Sequence, residues 1–158
     1  MDWVGFDNKQ LLSAYCSLMA ELKNRNIVRG SNNPIGDYTE SLIAKALGLS
    51  IELQSQAGYD ACSMDGTRYQ IKGRRLTSHN KSTQLSAIRN LNLRPFDFLA
   101  AVMYSQDLEI LYAALIPFEV VAELSRFSKH SNSHIFMFKQ SVFHDPRVTD
   151  ITKVLNKV

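Results

Sequence analysis

The sequence has 158 residues, of which 45% are hydrophobic and 21% charged, and its formal net charge is +3. These values predict one globular domain, residues 1–158, and do not suggest a disordered chain. The apolar runs are far shorter than the roughly 18 residues of a membrane helix, so we expect no membrane partner. The N-terminus lacks a signal-peptide pattern and the two cysteines form no C-x-x-C pair, so we expect a cytoplasmic protein.

The first third of the chain predicts two helices. Apolar residues recur at helical spacing over residues 7–25. A break around Gly30 and Pro34 follows. A second helix is expected from Ile35 to Leu47, with Gly48 as its C-cap.

The remainder predicts strands with three interspersed helices. The strands are expected at SIELQ, YDACS, RYQIKG, FDFLAAVMYS, LEILYAALIPF and IFMFK, and Asp65-Gly66 is a hairpin turn between the second and third. The helices are expected at Gln84–Leu91, from Pro117 to about residue 127, and at Val148–Val158. This order predicts a mixed α/β or α+β fold with a central sheet flanked by helices.

Four polar residues are expected to meet at the predicted hairpin. Side chains alternate along a strand, so Gln70 and Lys72 of RYQIKG share one face. If YDACS pairs antiparallel with that strand, Asp60 reaches the same face. Glu40 lies at the edge of the apolar stripe of the second helix, where an unpaired carboxylate is costly. We therefore take Glu40, Asp60, Gln70 and Lys72 as one candidate site.

These residue types suit a metal-assisted reaction on phosphate. A carboxylate such as Asp60 binds a hard cation such as Mg²⁺ through oxygen, and the cation polarises a phosphate and activates water. The Gln70 amide or the Glu40 carboxylate would be a second ligand, and the Ile71 carbonyl is a further candidate. Lys72 would position the attacking water or stabilise charge developing on the phosphate.

The set resembles the motif of the PD-(D/E)XK nuclease superfamily, which includes many restriction enzymes and DNA-repair and junction nucleases. Glu40 matches the acid on the early helix, Asp60 the hairpin aspartate, and Gln70-Ile71-Lys72 the (D/E)-x-K triplet. The resemblance covers about residues 33–72, and through the order of elements it extends to about residue 104.

The sequence departs from that motif at two places. The triplet begins with Gln70 in place of an acid, as in Mrr-type enzymes and some homing endonucleases, which removes one ligand charge. Gly58-Tyr59 stands where a proline often precedes the aspartate. The resemblance implies a restriction endonuclease-like fold, Mg²⁺ with Mn²⁺ as a substitute, double-stranded DNA as substrate, and a homodimer or homotetramer. Restriction, homing and repair roles stay open.

A basic segment follows the candidate site. From Arg68 to Arg94 the chain contains no acid, and Asp97 is the first to follow. Clustered positive charge beside a nuclease site is typical of phosphate contacts. The expected DNA-binding residues are Arg74, Arg75, His79, Lys81, Arg89 and Arg94. Simple solvent exposure is the alternative for His79, and a solvated strand end for the Arg74-Arg75 pair. Ser55 is a minor candidate for a phosphate or a metal-bound water.

Two other functions compete with the nuclease. The first is a non-catalytic DNA-binding or assembly module with the same fold, which Gln70 favours. The second is a structural or protein-interaction domain, which the small net charge favours. The presence of Glu40, Asp60 and Lys72 together argues for catalysis, since a decayed site has no physical reason to keep three costly polar groups together.

Overall fold

The computed structural model describes residues 2–30, 33–56 and 58–158, without the side chains of residues 53–56. The helices are α1 (Asn8–Asn24), α2 (Ile35–Leu47), α3 (Phe118–Leu124) and α4 (Thr152–Leu155). The strands are β1 (Ser50–Gln56), β2 (Tyr59–Cys62), β3 (Arg68–Arg75), β4 (Phe98–Tyr104), β5 (Ile110–Pro117), β6 (Arg126–Ser128), β7 (Ser133–Ile135) and β8 (Thr149–Asp150). None of the helices in the described part of the chain is both long and apolar enough to cross a membrane.

A mixed six-stranded sheet forms the centre of the fold, in the order β1-β2-β3-β4-β5-β8. Strands β3 and β4 run parallel, and the other neighbouring pairs run antiparallel. Helices pack against this sheet, so the predicted mixed α+β class with a central sheet is confirmed. A separate hairpin joins β6 and β7.

The two faces of the sheet carry separate apolar cores, because side chains alternate along its strands. Strand β4 contributes to both, since six of its seven residues are buried. Leu42 and Ile43 of α2 pack with Ile71 and Val102 on one face. Leu85 and other residues from the segments before β4 and after β7 pack on the opposite face.

A glycine in β3 lets α2 approach the sheet closely. A Cβ atom at Gly73 would lie 2.2 Å from Thr39 Oγ1 and 3.1 Å from Thr39 Cβ. The buried Thr39 hydroxyl donates to the Ile35 carbonyl at 2.6 Å and lies 3.1 Å from the Tyr104 hydroxyl. This contact fixes α2 over β3 at the residue just before Glu40.

Both predicted N-terminal helices are confirmed, and α2 ends as expected at Gly48, whose φ of 66° is the left-handed cap conformation. The bounds of α2 match the prediction because Pro34 directly precedes the helix and Gly48 directly follows it. The hairpin of β2 and β3 is confirmed as well.

The predicted helix at Gln84–Leu91 is wrong. This segment forms bridges from Gln84 to Met137 and from Ile88 to His134, and a short 3₁₀ helix occurs only at Leu91–Leu93. Its buried residues are spaced by three, which mimics a helix. The backbone of this segment forms hydrogen bonds with residues 134–137 and not within a helix.

The predicted C-terminal helix is also too long. Thr149 and Asp150, near the start of the predicted helix, form β8, which pairs with β5. The helix that follows, α4, is a single turn. The predicted strand IFMFK is present only in part, since its first residue, Ile135, ends β7 and Met137 forms an isolated bridge to Gln84. Helix α3 begins after Pro117 as expected and ends at Leu124.

Candidate functional site

Strands β2 and β3 bring Asp60 and Gln70 together. Their register aligns Ala61 with Tyr69 and Cys62 with Arg68, which places Asp60 opposite Gln70. The Gln70 Nε2 amide donates a hydrogen bond to Asp60 Oδ2. The backbone N–H of Ile71 donates to the same oxygen at 2.7 Å. Two donors therefore orient this carboxylate.

The sheet opens next to Asp60. Strand β1 pairs with β2 at Ile51 and Ala61, and it pairs again only at Gln56 and Tyr59. Between these two pairs, β1 has four residues and β2 has one, Asp60, so β1 forms a bulge at this point. Bulges of this kind occur often beside active sites because they interrupt the ladder.

Helix α2 places Glu40 beside this opening. Its side chain is only 15% exposed. Burial, and next the negative charge of Asp60, raise the pKa of Glu40 to about 7, while the Arg29 charge opposes this shift. Glu40 and Asp60 are therefore close enough to interact, and near neutral pH Glu40 exchanges its proton readily.

Arg29 forms an ion pair with Glu40, a contact that the sequence did not reveal. The Asp37 carboxylate holds the Arg29 loop in place by accepting from the N–H groups of Arg29 and Gly30 at 2.6 and 2.7 Å. Arg29 Nη1 also donates to the Glu52 carbonyl at 3.2 Å. The i, i+3 spacing of Asp37 and Glu40 on α2 was the one available hint of a cationic partner.

Lys72 lies on the same face of β3 as Gln70 and is half-buried. Its Nζ donates to the Ser86 hydroxyl at 2.9 Å. Burial lowers the pKa of Lys72, and the charges of Asp60 and Glu40 partly oppose that shift. Lys72 is therefore close enough to interact electrostatically with both carboxylates. Its contact with Ser86 is a second one that the sequence did not reveal.

The oxygen donors at this site fit a hard divalent cation. The two hydrogen bonds to Asp60 both end on Oδ2, which leaves Oδ1 to face a cation. Glu40 adds a second carboxylate and Gln70 an amide oxygen, a donor set suited to Mg²⁺. Among the described side chains, no group of three or more His, Cys, Asp or Glu residues is arranged for a metal. The Ile71 carbonyl as a ligand stays a prediction.

The expected DNA-binding residues fall into three groups. Arg74 and Arg75 extend β3, and their Nε atoms donate to the carbonyls of Ser82 at 3.2 Å and Gln106 at 2.7 Å. Exposed side chains on the segment that follows are His79, Lys81 and Arg89. All of these stay predictions as DNA contacts.

Arg94 lies in a different setting from the other basic residues. It pairs with Glu119 at 2.6 Å and lies 4.9 Å from the centre of the Phe118 ring. Its charge is therefore already matched by α3, and its role in DNA binding stays a prediction. The Ser55 side chain lies outside the described residues.

No protein-family model matches the chain, and no curated protein matches it. The chemistry of the chain must therefore be inferred from Glu40, Asp60, Gln70, Lys72 and the groups that contact them.

Proposed function

We propose that this protein is a metal-dependent endonuclease that hydrolyses phosphodiester bonds in DNA. The observation that carries the proposal is the meeting of two carboxylates, Glu40 and Asp60, with Gln70 and the half-buried Lys72 beside a bulged strand. A half-buried pair of acids next to a lysine has a cost in stability, and metal-assisted hydrolysis of phosphate would explain why these groups lie together.

The oriented carboxylate of Asp60 would be the principal metal ligand. Gln70 and the Ile71 N–H hold Asp60 Oδ2, so Oδ1 is presented in a defined direction. Glu40 and the Gln70 amide oxygen would complete the protein ligands. Mg²⁺, with Mn²⁺ as a substitute, would supply Lewis-acid polarisation of the phosphate and a more acidic water.

Lys72 would act on the reacting phosphate through Nζ. Its lowered pKa eases proton exchange, and its ammonium form donates to phosphate oxygens on which charge develops. Ser86 would keep Nζ on the site face when no substrate is bound.

The positive segment after β3 would hold the DNA backbone. Arg74 and Arg75 begin this surface, and Lys81, Arg89 and His79 continue it in exposed positions. Contacts of this kind to the DNA backbone do not depend on the base sequence, and they weaken as the salt concentration rises. Double-stranded DNA is the proposed partner.

The proposed assembly is a homodimer or a homotetramer. The proposed location is the cytoplasm.

A non-catalytic DNA-binding or assembly module is the second candidate. The ion pair between Arg29 and Glu40 favours it, because this pair satisfies Glu40 with no metal. Gln70 favours it too, since a neutral amide stands where a third ligand charge would be.

Cleavage of supercoiled plasmid and phage DNA with Mg²⁺ or Mn²⁺ separates the two candidates. We expect metal-dependent cutting by the wild type and a loss of at least 100-fold in Asp60→Asn and Lys72→Ala, in line with removal of a catalytic group. The matched controls are Asp107→Asn in the β4–β5 turn and Lys45→Ala on the exposed face of α2, both of which should cut normally.

The opposite results are equally informative. Salt-sensitive DNA binding without cutting would establish the non-catalytic module. Undiminished cutting by Asp60→Asn would exclude this site. Neither cutting nor binding on diverse DNA would exclude both candidates and leave a protein-interaction domain.

A further inference from the structure

Helix α1 exposes an apolar surface that the candidate site does not explain. The only buried residue of α1 is Met19. We call the exposed side chains on and just before this helix the α1 patch; they are Trp3, Val4, Phe6, Leu11, Leu12, Tyr15 and Leu18. Trp3 packs edge-to-face with Phe6 at 5.6 Å and lines a groove with Leu11, Tyr15 and Leu18. Trp3, Phe6, Leu11, Tyr15 and Leu18 therefore form one continuous surface within the patch.

The helix beneath the patch has a defined start. The Asp7 carboxylate accepts from the Gln10 N–H at 2.8 Å, and the Gln10 side chain accepts from the Asp7 N–H at 2.8 Å. This reciprocal capping box stabilises the first turn. A capped helix that exposes apolar side chains on successive turns is typical of a surface that binds another molecule.

The area of the patch matches one side of a protein interface. Exposed fractions from 39% to 87% over seven large side chains correspond to roughly 600–800 Å² of surface. The largest apolar patch of a typical monomer covers about 300–600 Å². A standard interface takes about 800 Å² from each partner.

The charges on α1 favour a protein partner over a lipid surface. Counted with both caps, its ionised side chains are Asp7, Lys9, Glu21, Lys23 and Arg25, whose formal charges sum to only +1. Amphipathic helices that bind membranes are rich in lysine and arginine on the polar face.

The same charges favour one orientation for a pair of α1 helices. At about 100° per residue, Asp7, Glu21 and Arg25 fall on one flank of Tyr15, where their formal charges sum to −1. Lys9 and Lys23 fall on the other flank, where the sum is +2. Two parallel helices bring opposite flanks together, and two antiparallel helices bring like flanks together. Glu21 also pairs with Arg25 of its own chain at 2.7 Å, but both side chains are more than half exposed, so this pair contributes little.

We propose that the protein forms a homodimer in which the α1 patch packs in parallel against the α1 patch of a second copy. Tyr15 lies at the middle of the interface, with Leu11 and Leu18 one turn to either side. The two copies of the sheet then lie at the same end of the helix pair. This arrangement adds to the proposed function, since two sites on one side of a dimer would reach the two strands of one duplex.

Light scattering coupled to size exclusion tests the interface without any nuclease assay. We expect wild type at twice the monomer mass, and Leu18→Glu at the monomer mass with an unchanged circular dichroism spectrum. Leu124→Glu on α3 is the matched control, since Leu18 and Leu124 are 57% and 55% exposed; it should remain dimeric.

Cysteine cross-linking tests the orientation. In a Cys16→Ser background, Leu11→Cys and Leu18→Cys should each form a disulfide-linked dimer, because equal positions face one another in a parallel pair. In an antiparallel pair, only one of these two positions can lie opposite the same position of the second copy. Cross-linking in only one of the two variants would therefore overturn the parallel orientation.

Three results would overturn the proposed α1 dimer. They are a monomeric wild type, a dimer that survives Leu18→Glu and so uses another surface, and a monomer that binds anionic vesicles through the α1 patch. Metal binding by Asp60 is measured separately, so failure of the dimer and failure of the nuclease proposal remain distinguishable.

Discussion

The middle of the sheet and its edge, where β1 pairs with β2, differ in how they use buried space. In the middle, β4 is surrounded by apolar side chains, and Gly73 of β3 admits α2 to contact distance. At the edge, the ladder is interrupted, and the half-buried Glu40 and Lys72 have pKa values shifted by burial. Packing stabilises the first region, whereas the second holds charged groups at a cost to stability, which is typical of functional sites.

The largest expected effect is in the middle of the sheet. Gly73→Ala places a methyl group 2.2 Å from Thr39 Oγ1, so we expect a loss of roughly 2–3 kcal/mol in the free energy of unfolding, as for other overpacked cores. Urea denaturation measures it. Gly36→Ala is the matched control, because a Cβ there meets nothing within 4 Å; it should change stability by about +0.5 kcal/mol.

A double mutant sharpens this prediction. Thr39→Ala removes the hydroxyl that the new methyl group meets, so Thr39→Ala with Gly73→Ala should be less destabilised than the sum of the single variants. Additive losses would show that the close approach of α2 to β3 is not the cause. The same variants report on the edge, because α2 also positions Glu40.

The next effect concerns the cost of charge at the edge. The folded-state pKa of Glu40 is about 7, above its ordinary value of 4.5, so the folded protein binds this proton more tightly than the unfolded chain. The resulting stability is complete below pH 4.5 and is lost as the pH rises to about 7. The size is on the order of 2 kcal/mol, because one pKa unit corresponds to about 1.4 kcal/mol and the Glu40 side chain keeps some exposure to solvent.

Urea denaturation at pH 4.5 and pH 8 measures this cost. Glu40→Gln should remove the loss, so the difference in stability between variant and wild type should move in favour of the variant as the pH rises. Glu109→Gln, at an exposed position, should follow the wild type. Parallel curves for Glu40→Gln and wild type would mean that Glu40 ionises as an ordinary surface acid.

The same contrast explains which features the sequence predicted. Helix α2 and the β2–β3 hairpin have local signals, namely Gly48 as a cap and Asp65-Gly66 as a turn, and both were predicted correctly. The alternation of β3 placed Gln70 and Lys72 on one face for the same reason. Local patterns need no knowledge of distant segments.

Contacts between distant segments account for what the sequence did not predict. Leu85 and Ile88 have helical spacing, yet their segment pairs with residues about 50 positions later. Arg29 reaches Glu40 only because Asp37 folds its loop back onto α2. Ser86 meets Lys72 across a 14-residue gap. Such pairs depend on the completed fold, because one local sequence is compatible with many distant partners.

The smallest predicted effect is on metal affinity at the edge. The Arg29 guanidinium forms an ion pair with Glu40, which is also a proposed metal ligand, so Arg29 and a bound cation would compete for this carboxylate. Removing Arg29 raises the pKa of Glu40 further, because the guanidinium lowers it, so the comparison needs an alkaline pH. At pH 8.5 Arg29→Gln should bind Mn²⁺ up to about tenfold more tightly, which is about 1.4 kcal/mol. Calorimetric titration measures it.

Arg25→Gln is the matched control, because Arg25 pairs with Glu21 on α1 and should leave Mn²⁺ affinity unchanged. The gain in Arg29→Gln should shrink below pH 7, since a protonated Glu40 binds neither the guanidinium nor the metal. If Arg29→Gln weakens Mn²⁺ binding at pH 8.5, the guanidinium supports the carboxylate as a ligand and does not compete with the metal. The direction of this one change thus decides whether the ion pair at the edge is a substitute for the metal or a part of its site.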